Sequence, residues 1–500
     1  MIEINPAHTL SPTVQKFLDT TCQGQYINGE IVASKGSATI AITNPATEQV
    51  INQVAIADKQ QVAQAVESAR AAFEHESWKR MSPMKRQNLL LAIADMMEAE
   101  VDNIAEILTL ENGKLLAHAK SEIKGAANTF RYYAGWATKL EGETLDLSLR
   151  QAPGKQNFAF TRREPIGVVA AIVPWNFPIS IAVWKLAPLL AAGCTVVLKP
   201  SEVTPLSTLY LATLFDKVGF PKGVVNVITG DGKTGAALTS HPEVDKITFT
   251  GSTQVGKIIG KSAMDDLKDI SLELGGKSPG LIFDDADLSA AAKGIAMGIF
   301  RNGGQVCVAG SRVYIQEKVF DKVVADIAAA GQKMKMADGF DASSDLGPLV
   351  SKAHLDSVQS YVQKGIDEGA ELVCGGQGPD RKGYYMQPTI FASTNNQKKI
   401  VAEEIFGPVL VAIPFKDMDE GLRLANDSRY GLSSTVWTQD ISKALHCVSE
   451  LDAGWVFVNA PARSDANFPL GGNKQSGIGR ELGRAGVYNF TKLKSVNIVF

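Results

Sequence analysis

GVVAAIVPWNFPISIAVWKLAPLLAAGCTVVLKPSE, residues 167–202, is apolar over most of its length. Residues 179–198 within it are almost long enough to span a bilayer, but Lys185 and Pro188 interrupt the run. The stretch reads as a buried strand (167–174), a turn fixed by two prolines, a buried helix and a second buried strand (195–200). Two more strand-like runs follow, VVNVITG (224–230) and KITFTG (246–251), with helix-length segments between them. Near-continuous apolar strands joined by helices predict a parallel sheet covered on both faces. A second series runs through SPGLIF (278–283), RVYIQ (312–316), VLVAIPF (409–415), STVWT (434–438) and WVFVN (455–459). The fold class is therefore α/β, with two such units in series.

Upstream, residues 58–74 place Val62, Val66, Ala69 and Phe73 on one helical face, and a second helical pattern runs from about Met84 to Leu110. Two segments fit neither unit. Residues 142–164 read as a hairpin, and the chain ends on TKLKSVNIVF (491–500), an alternating strand whose edge needs covering. The pair is a candidate oligomerisation element; the plainer reading packs both segments on their own subunit.

Fifty basic residues against fifty-three acidic ones leave a formal charge of −3, which excludes bulk-charge binding to nucleic acid or a membrane surface. The N-terminus MIEINPAHTLSPTVQ lacks the pattern of a secretory signal, and the chain reads as soluble. Five scattered cysteines without a CxxC argue against a disulfide framework and for a reducing compartment, the cytoplasm. Six dispersed histidines give no metal-ligand spacing, so no metal is expected.

Five stretches carry candidate chemistry, the first three each with a plainer alternative. Cys307, in FRNGGQVCVAGSR (300–312), has small neighbours that leave its sulfur approachable; a lone cysteine is more often an inert buried thiol. Glu273, in SLELGGKSPG (271–280), sits where a strand ends and where desolvation would suit it to act as a general base; it could equally face solvent. Asn176, in PWNFP (174–178), projects an amide from a rigid turn that could stabilise an oxyanion, although asparagine commonly just forms turns. FTGSTQVG (249–256) runs from strand to helix and offers a phosphate site, but its glycine spacing departs from the dinucleotide fingerprint. In KPSE (199–202), Lys199 and Glu202 could bind ribose hydroxyls, and a carboxylate there would disfavour the 2′-phosphate of NADP.

Taken in order, PWNFP, KPSE, FTGST, LELGGKSP, GGQVC, EEIFGPV (403–409) and GGNKQSGIGRE (471–481) resemble the aldehyde dehydrogenase superfamily over nearly the whole chain. The resemblance implies a Rossmann-like NAD-binding domain (1–141 and 165–273), a catalytic domain (274–470) and a small β oligomerisation element (142–164 and 487–500), commonly in dimers or tetramers. It implies Cys307 as nucleophile, Glu273 as general base, and Asn176 with the Cys307 N–H as oxyanion hole. Lys199 and Glu202 match ribose contacts, Ser252 beside Gly251 a pyrophosphate contact, and Glu404 and Phe406 the nicotinamide-ribose and ring positions. Trp175 and Gly232 fall in segments lining the dinucleotide groove.

The implied activity is NAD-dependent oxidation of an aldehyde to the acid through a thiohemiacetal and a thioester on Cys307. Val306 and Val308 beside the sulfur would raise its pKa by desolvation, a penalty for bound cofactor or a protein dipole to offset. Phe177, Ser180, Ile181 and Trp184 are expected to line the substrate tunnel, with Val306, Val308, Ser464 and Leu470. VQKFLD (14–19), GETLDLS (142–148) and SDANFPLGG (464–472) look most like the family's bacterial phenylacetaldehyde-oxidising members. An apolar mouth would favour an aromatic or other apolar aldehyde over a charged one. Leu470 departs from the phenylalanine many relatives carry, leaving one pocket wall open to question; Gly303–Gly304, where relatives often have Gln–Gly, is a smaller change. Competing readings are an amino-aldehyde or broad-range aliphatic dehydrogenase, a CoA-acylating relative, a cofactor-free cysteine hydrolase and a structural protein on a retired enzyme scaffold. The retained Glu273 favours hydrolysis over CoA, and no histidine in these motifs can serve a hydrolase.

Overall fold

In the computed structural model, which describes residues 8–33, 38–149 and 153–500, the opening stretch forms strand Val168–Ile172, helix Pro178–Ala192 and strand Thr195–Lys199. Pro178 starts the helix, where its missing N–H has no partner to lose, and Gly193 at φ +95° ends it in a conformation suited to glycine. Pro188 lies within the helix.

Five parallel strands make the centre of an eight-stranded sheet, in the spatial order Val225–Val227, Thr195–Lys199, Val168–Ile172, Lys246–Thr250, Asp269–Glu273. The chain builds outward from Val168–Ile172 in one direction and then in the other. A crevice forms where the direction reverses, beyond the carboxyl ends of Val168–Ile172 and Lys246–Thr250, and ligands bind at such points. Gln25–Ile27 and Glu30–Val32 extend one edge, while Gly477–Ile478 pairs antiparallel with Leu272 and Glu273 at the other. That last strand was not evident from sequence, because two residues carry no periodicity.

The second sheet has seven strands; six are parallel, in the order Thr389–Ala392, Val409–Phe415, Arg312–Gln316, Pro279–Ile282, Ser433–Trp437, Trp455–Val458. Glu371–Cys374 joins antiparallel at the Thr389–Ala392 edge. A third sheet pairs the terminal strand Thr491–Val499 with Asn157–Pro165 in nine-residue register, and Asn157–Pro165 with Thr144–Leu145. The terminal strand thus finds a partner within its own chain, yet Phe158, Leu493, Val499 and Phe500 remain exposed. Residues 150–152 of the expected hairpin, and the first seven residues, lie outside the described residues.

Helix Lys59–Glu74 buries Val62, Val66 and Ala69 as expected, capped by Asp58 and Gln61 in a reciprocal box. The long helix expected from Met84 is two, Pro83–Ala99 and Val101–Asn112. Glu100 separates them: its carboxylate accepts from Asn103 Nδ2 and Tyr210 OH, both at 2.7 Å. Among the described residues no helix is long and apolar enough to cross a membrane.

Candidate active site

Asn176 sits just past the carboxyl end of strand Val168–Ile172, at the crevice, and is buried. Its Nδ2 donates to the Gln305 carbonyl at 3.0 Å, tying the amide to the loop two residues before Cys307, while Oδ1 has no partner among the described residues. The Asn176 carbonyl accepts from Lys114 Nζ at 3.0 Å and Asn302 Nδ2 at 3.3 Å. Lys114 also pairs with Glu122. Glu122 in turn accepts the N–H groups of Ile179 and Ser180 at 3.1 and 3.0 Å, satisfying the first turn of the helix that follows. Lys114 and Glu122 thus fix the turn from beneath; neither lies in a motif, so the sequence did not reveal them.

The Cys307 loop is pressed against EEIFGPV. Gly304 has φ +70°, and a Cβ there would lie 2.0 Å from the Gly407 carbonyl oxygen. Cys307 is half-buried. Its thiol is pushed up to about 12, first by burial and then by the negative charges of Glu404 and Glu273, while backbone N–H groups of Val308 and Cys307 pull the other way. Glu273 is buried at the end of its strand, not solvent-facing, and neither carboxyl oxygen has a partner among the described residues. Burial, then the charge of Glu481, hold its pKa well above the ordinary carboxyl value, against Lys185 and Arg480. Lys185 pairs with Glu481 and donates to Thr248 Oγ1 at 3.1 Å. Glu404 accepts from the Gly276 N–H at 2.9 Å and is raised by burial to about 7.

Phe406 has φ +59°, a costly conformation for a non-glycine residue. His354 Nε2 bonds the Phe406 carbonyl at 2.8 Å, and the Trp175 ring meets the Phe406 and His354 rings edge-on at 5.3 and 4.9 Å. The fold therefore brings a histidine to the site although none lies in the motifs. Burial lowers its pKa, and its Nε2 is committed to a carbonyl, so it is not placed as a hydrolase base.

Around the crevice, Lys199 is buried, with Nζ 3.2 Å from the Pro200 carbonyl and 3.9 Å from the half-exposed Glu202 carboxylate. Ser252 caps helix Thr253–Ala263 by accepting the Val255 N–H, just after Gly251. Gly232 opens helix Gly232–Thr239, and no atom lies within 4 Å of where its Cβ would be. Val255 and Ile258, one helical turn apart and exposed, add apolar surface suited to a flat base; they were not singled out from sequence.

Of the expected substrate-pocket residues, Phe177, Val306 and Val308 line one cleft with Met297 and Trp437. Trp184 and Leu470 lie behind it, in an apolar cluster that also holds Cys307 and Val308. Leu470 is only 3% exposed, so it backs the site and does not form an open wall. Ile181 is buried in the helical core, Ser180 is half-buried and Ser464 is exposed; none of the three lines the cleft. The mouth is also not apolar throughout, since Arg301 and Arg463 stand on it. No cluster of metal-ligating side chains occurs among the described residues.

A thiol, an amide and a buried carboxyl beside a doubly wound sheet's crevice mark the candidate site of an oxidoreductase. The family model for the aldehyde dehydrogenase family matches residues 31–496, and the chain belongs to that family. It is 47% identical to a phenylacetaldehyde dehydrogenase of Pseudomonas fluorescens over 480 residues, 95% of each chain. It is similar to an aldehyde dehydrogenase of Bacillus cereus solved as an NAD+ complex, with TM-score 0.95 and 42% identity over 98% of this chain and 99% of that one. A betaine aldehyde dehydrogenase of Staphylococcus aureus in complex with NAD+ follows at TM-score 0.94 and 39% identity, covering 97% and 96%.

Proposed function

We propose that this NAD-dependent aldehyde dehydrogenase oxidises aromatic or similarly apolar aldehydes, phenylacetaldehyde foremost, to the carboxylic acid. The observation that carries the mechanism is the Asn176 amide anchored to the loop of Cys307, within electrostatic reach of a buried, partnerless Glu273. Cys307 Sγ gives up its thiol proton to solvent and attacks the aldehyde carbon as the thiolate, and the Asn176 amide with the Cys307 N–H receives the resulting alkoxide. Losing one such donor typically costs about 10²–10³ in rate. NAD, when bound, supplies the acceptor for the hydride that the substrate carbon loses. Glu273 then takes a proton from water, which attacks the thioester on Cys307 and frees the acid. A carboxyl with a raised pKa is suited to this work near neutrality, being basic enough to accept the proton.

The crevice residues fit the dinucleotide. Gly232 leaves open space, Ser252 presents a helix N-terminus to a phosphate, and Glu202 offers a half-exposed carboxylate to ribose hydroxyls while repelling a 2′-phosphate. Glu404, Phe406 and Trp175 are assigned to the nicotinamide end. We assign residues 1–141 and 165–273 to cofactor binding, 274–470 to catalysis, and 142–164 with 487–500 to a homo-oligomer contact, supported by the exposed apolar residues of the third sheet. Five free cysteines suit the cytoplasm.

NADH absorbance at 340 nm with phenylacetaldehyde, short aliphatic and amino-aldehydes tests the reading. Phenylacetaldehyde should be preferred, with activity abolished in Cys307→Ala. A better amino-aldehyde would discard the substrate class and keep the chemistry.

A further inference from the structure

The cleft beside Cys307 has an asymmetry that a purely apolar substrate would not use. Phe177, Val306, Val308 and Met297 contribute apolar lining, and the exposed Arg301 and Arg463 line the same cleft. No aspartate or glutamate lines it. Neither guanidinium has a hydrogen-bond or ion-pair partner among the described residues, and both are exposed. Exposed arginines need no partner in general; what stands out is that two unpaired ones share one cleft with no compensating acid. Asp465, two residues beyond Arg463, uses its carboxylate to accept the Asn467 N–H at 2.8 Å. The two guanidinium groups therefore leave net positive charge on the lining of this cleft.

We propose that Arg301 and Arg463 form a carboxylate-binding subsite for the far end of the substrate. Among aldehydes of one size, those with an apolar spacer, aromatic or polymethylene, and a carboxylate opposite the reacting carbonyl are then favoured over their uncharged counterparts. This rests on the reading that Cys307 attacks an aldehyde reaching it through this cleft. Two guanidinium forks recognise a planar carboxylate by paired N–H donors, and an apolar middle matches the valines and phenylalanine. The same charges would repel a cationic aldehyde.

The test compares kcat/KM for 4-carboxybenzaldehyde and 4-methylbenzaldehyde, of similar shape, at low ionic strength in wild type, Arg301→Met, Arg463→Met and Arg301→Lys. Wild type should favour the carboxylate by about five- to tenfold, mostly through KM, as expected for partly exposed charge pairs. The ratio should fall toward one in each methionine variant, survive in part in the lysine variant, and shrink in salt. A structural defect would lower both substrates together and leave the ratio in place. Calorimetric binding of terephthalate against 4-methylbenzoate supplies the same ratio without turnover. A wild-type ratio at or below one, or one that neither methionine variant moves, would overturn the proposal. If phenylacetaldehyde is oxidised while the ratios stay flat, only this inference fails; if no aldehyde yields NADH, the proposed activity fails, and the terephthalate ratio alone decides the subsite.

Discussion

Glu122→Gln is the most informative perturbation of the scaffold beneath Asn176, the proposed oxyanion donor. The Glu122 and Lys114 side chains are 3% and 1% exposed, so the substitution strands an ammonium in the interior. Its remaining acceptors would be the Asn176 carbonyl and a neutral amide oxygen. Removing one member of a buried ion pair costs about 3–5 kcal/mol, chiefly through the uncompensated charge left behind. Unfolding entropy of about 2.1 cal/mol/K per residue over 500 residues gives about 1 kcal/mol/K for a single cooperative transition. The melting temperature should therefore fall by about 3–5 °C. Lys114→Met should cost about half as much, because the Glu122 carboxylate keeps two backbone donors at a helix N-terminus. In the double variant no charge is stranded, so its loss should not exceed that of Glu122→Gln alone, a coupling of at least about 1.5–2.5 kcal/mol. Differential scanning fluorimetry of the four proteins reads this cycle. In parallel, kcat of Glu122→Gln should drop by about 10–100-fold, since the turn bearing Asn176 loses its anchor. Small, additive shifts with unchanged kcat would refute the argument that this pair positions the amide.

Glu273→Gln should stabilise the protein increasingly as pH rises. The folded carboxyl pKa lies well above its unfolded value, so the native state binds more protons and wild-type stability declines from the ordinary carboxyl range up to the folded pKa. Melting temperatures of the two proteins that stay parallel across pH would contradict this. Alkylation of Cys307 by iodoacetamide, followed on its own peptide, should show a high pH midpoint that falls in Glu404→Gln, because Glu404 is the larger of the two nearby negative charges. Saturating NAD should lower the midpoint further through its cationic ring; equal midpoints with and without NAD would leave the cofactor no part in activating the thiol. Truncation before Thr491 removes the nine-residue pairing with Asn157–Pro165 and should reduce the mass measured by light scattering. An unchanged mass would remove the third sheet from the oligomer contact.

The central strands were legible because parallel strands buried on both faces must be apolar throughout, and residues 167–251 carry that pattern in four separate runs. Cys307, Glu273 and Asn176 stood out only as members of ordered motifs; singly, each had a commoner structural role. Long-range partners were not legible. Lys114 and Glu122, Lys185 and Glu481, and His354 and Phe406 are joined by contacts across 8, 296 and 52 positions that no local period encodes. The break at Glu100 escaped for a related reason, since its partner Tyr210 lies 110 residues away. The apolar mouth was misjudged because Arg301 falls at the end of a helix pattern and Arg463 in a loop, and only folding sets both on one cleft.

In the proposed mechanism Cys307 carries the substrate as a thioester which Glu273 sends water to cleave. Mixing Glu273→Gln with saturating NAD and phenylacetaldehyde, then quenching in acid for peptide mass spectrometry, tests this directly. A burst of one NADH per active site, very slow turnover thereafter, and a phenylacetyl group on the Cys307 peptide are expected. A burst without that adduct, or full turnover in the variant, would contradict it.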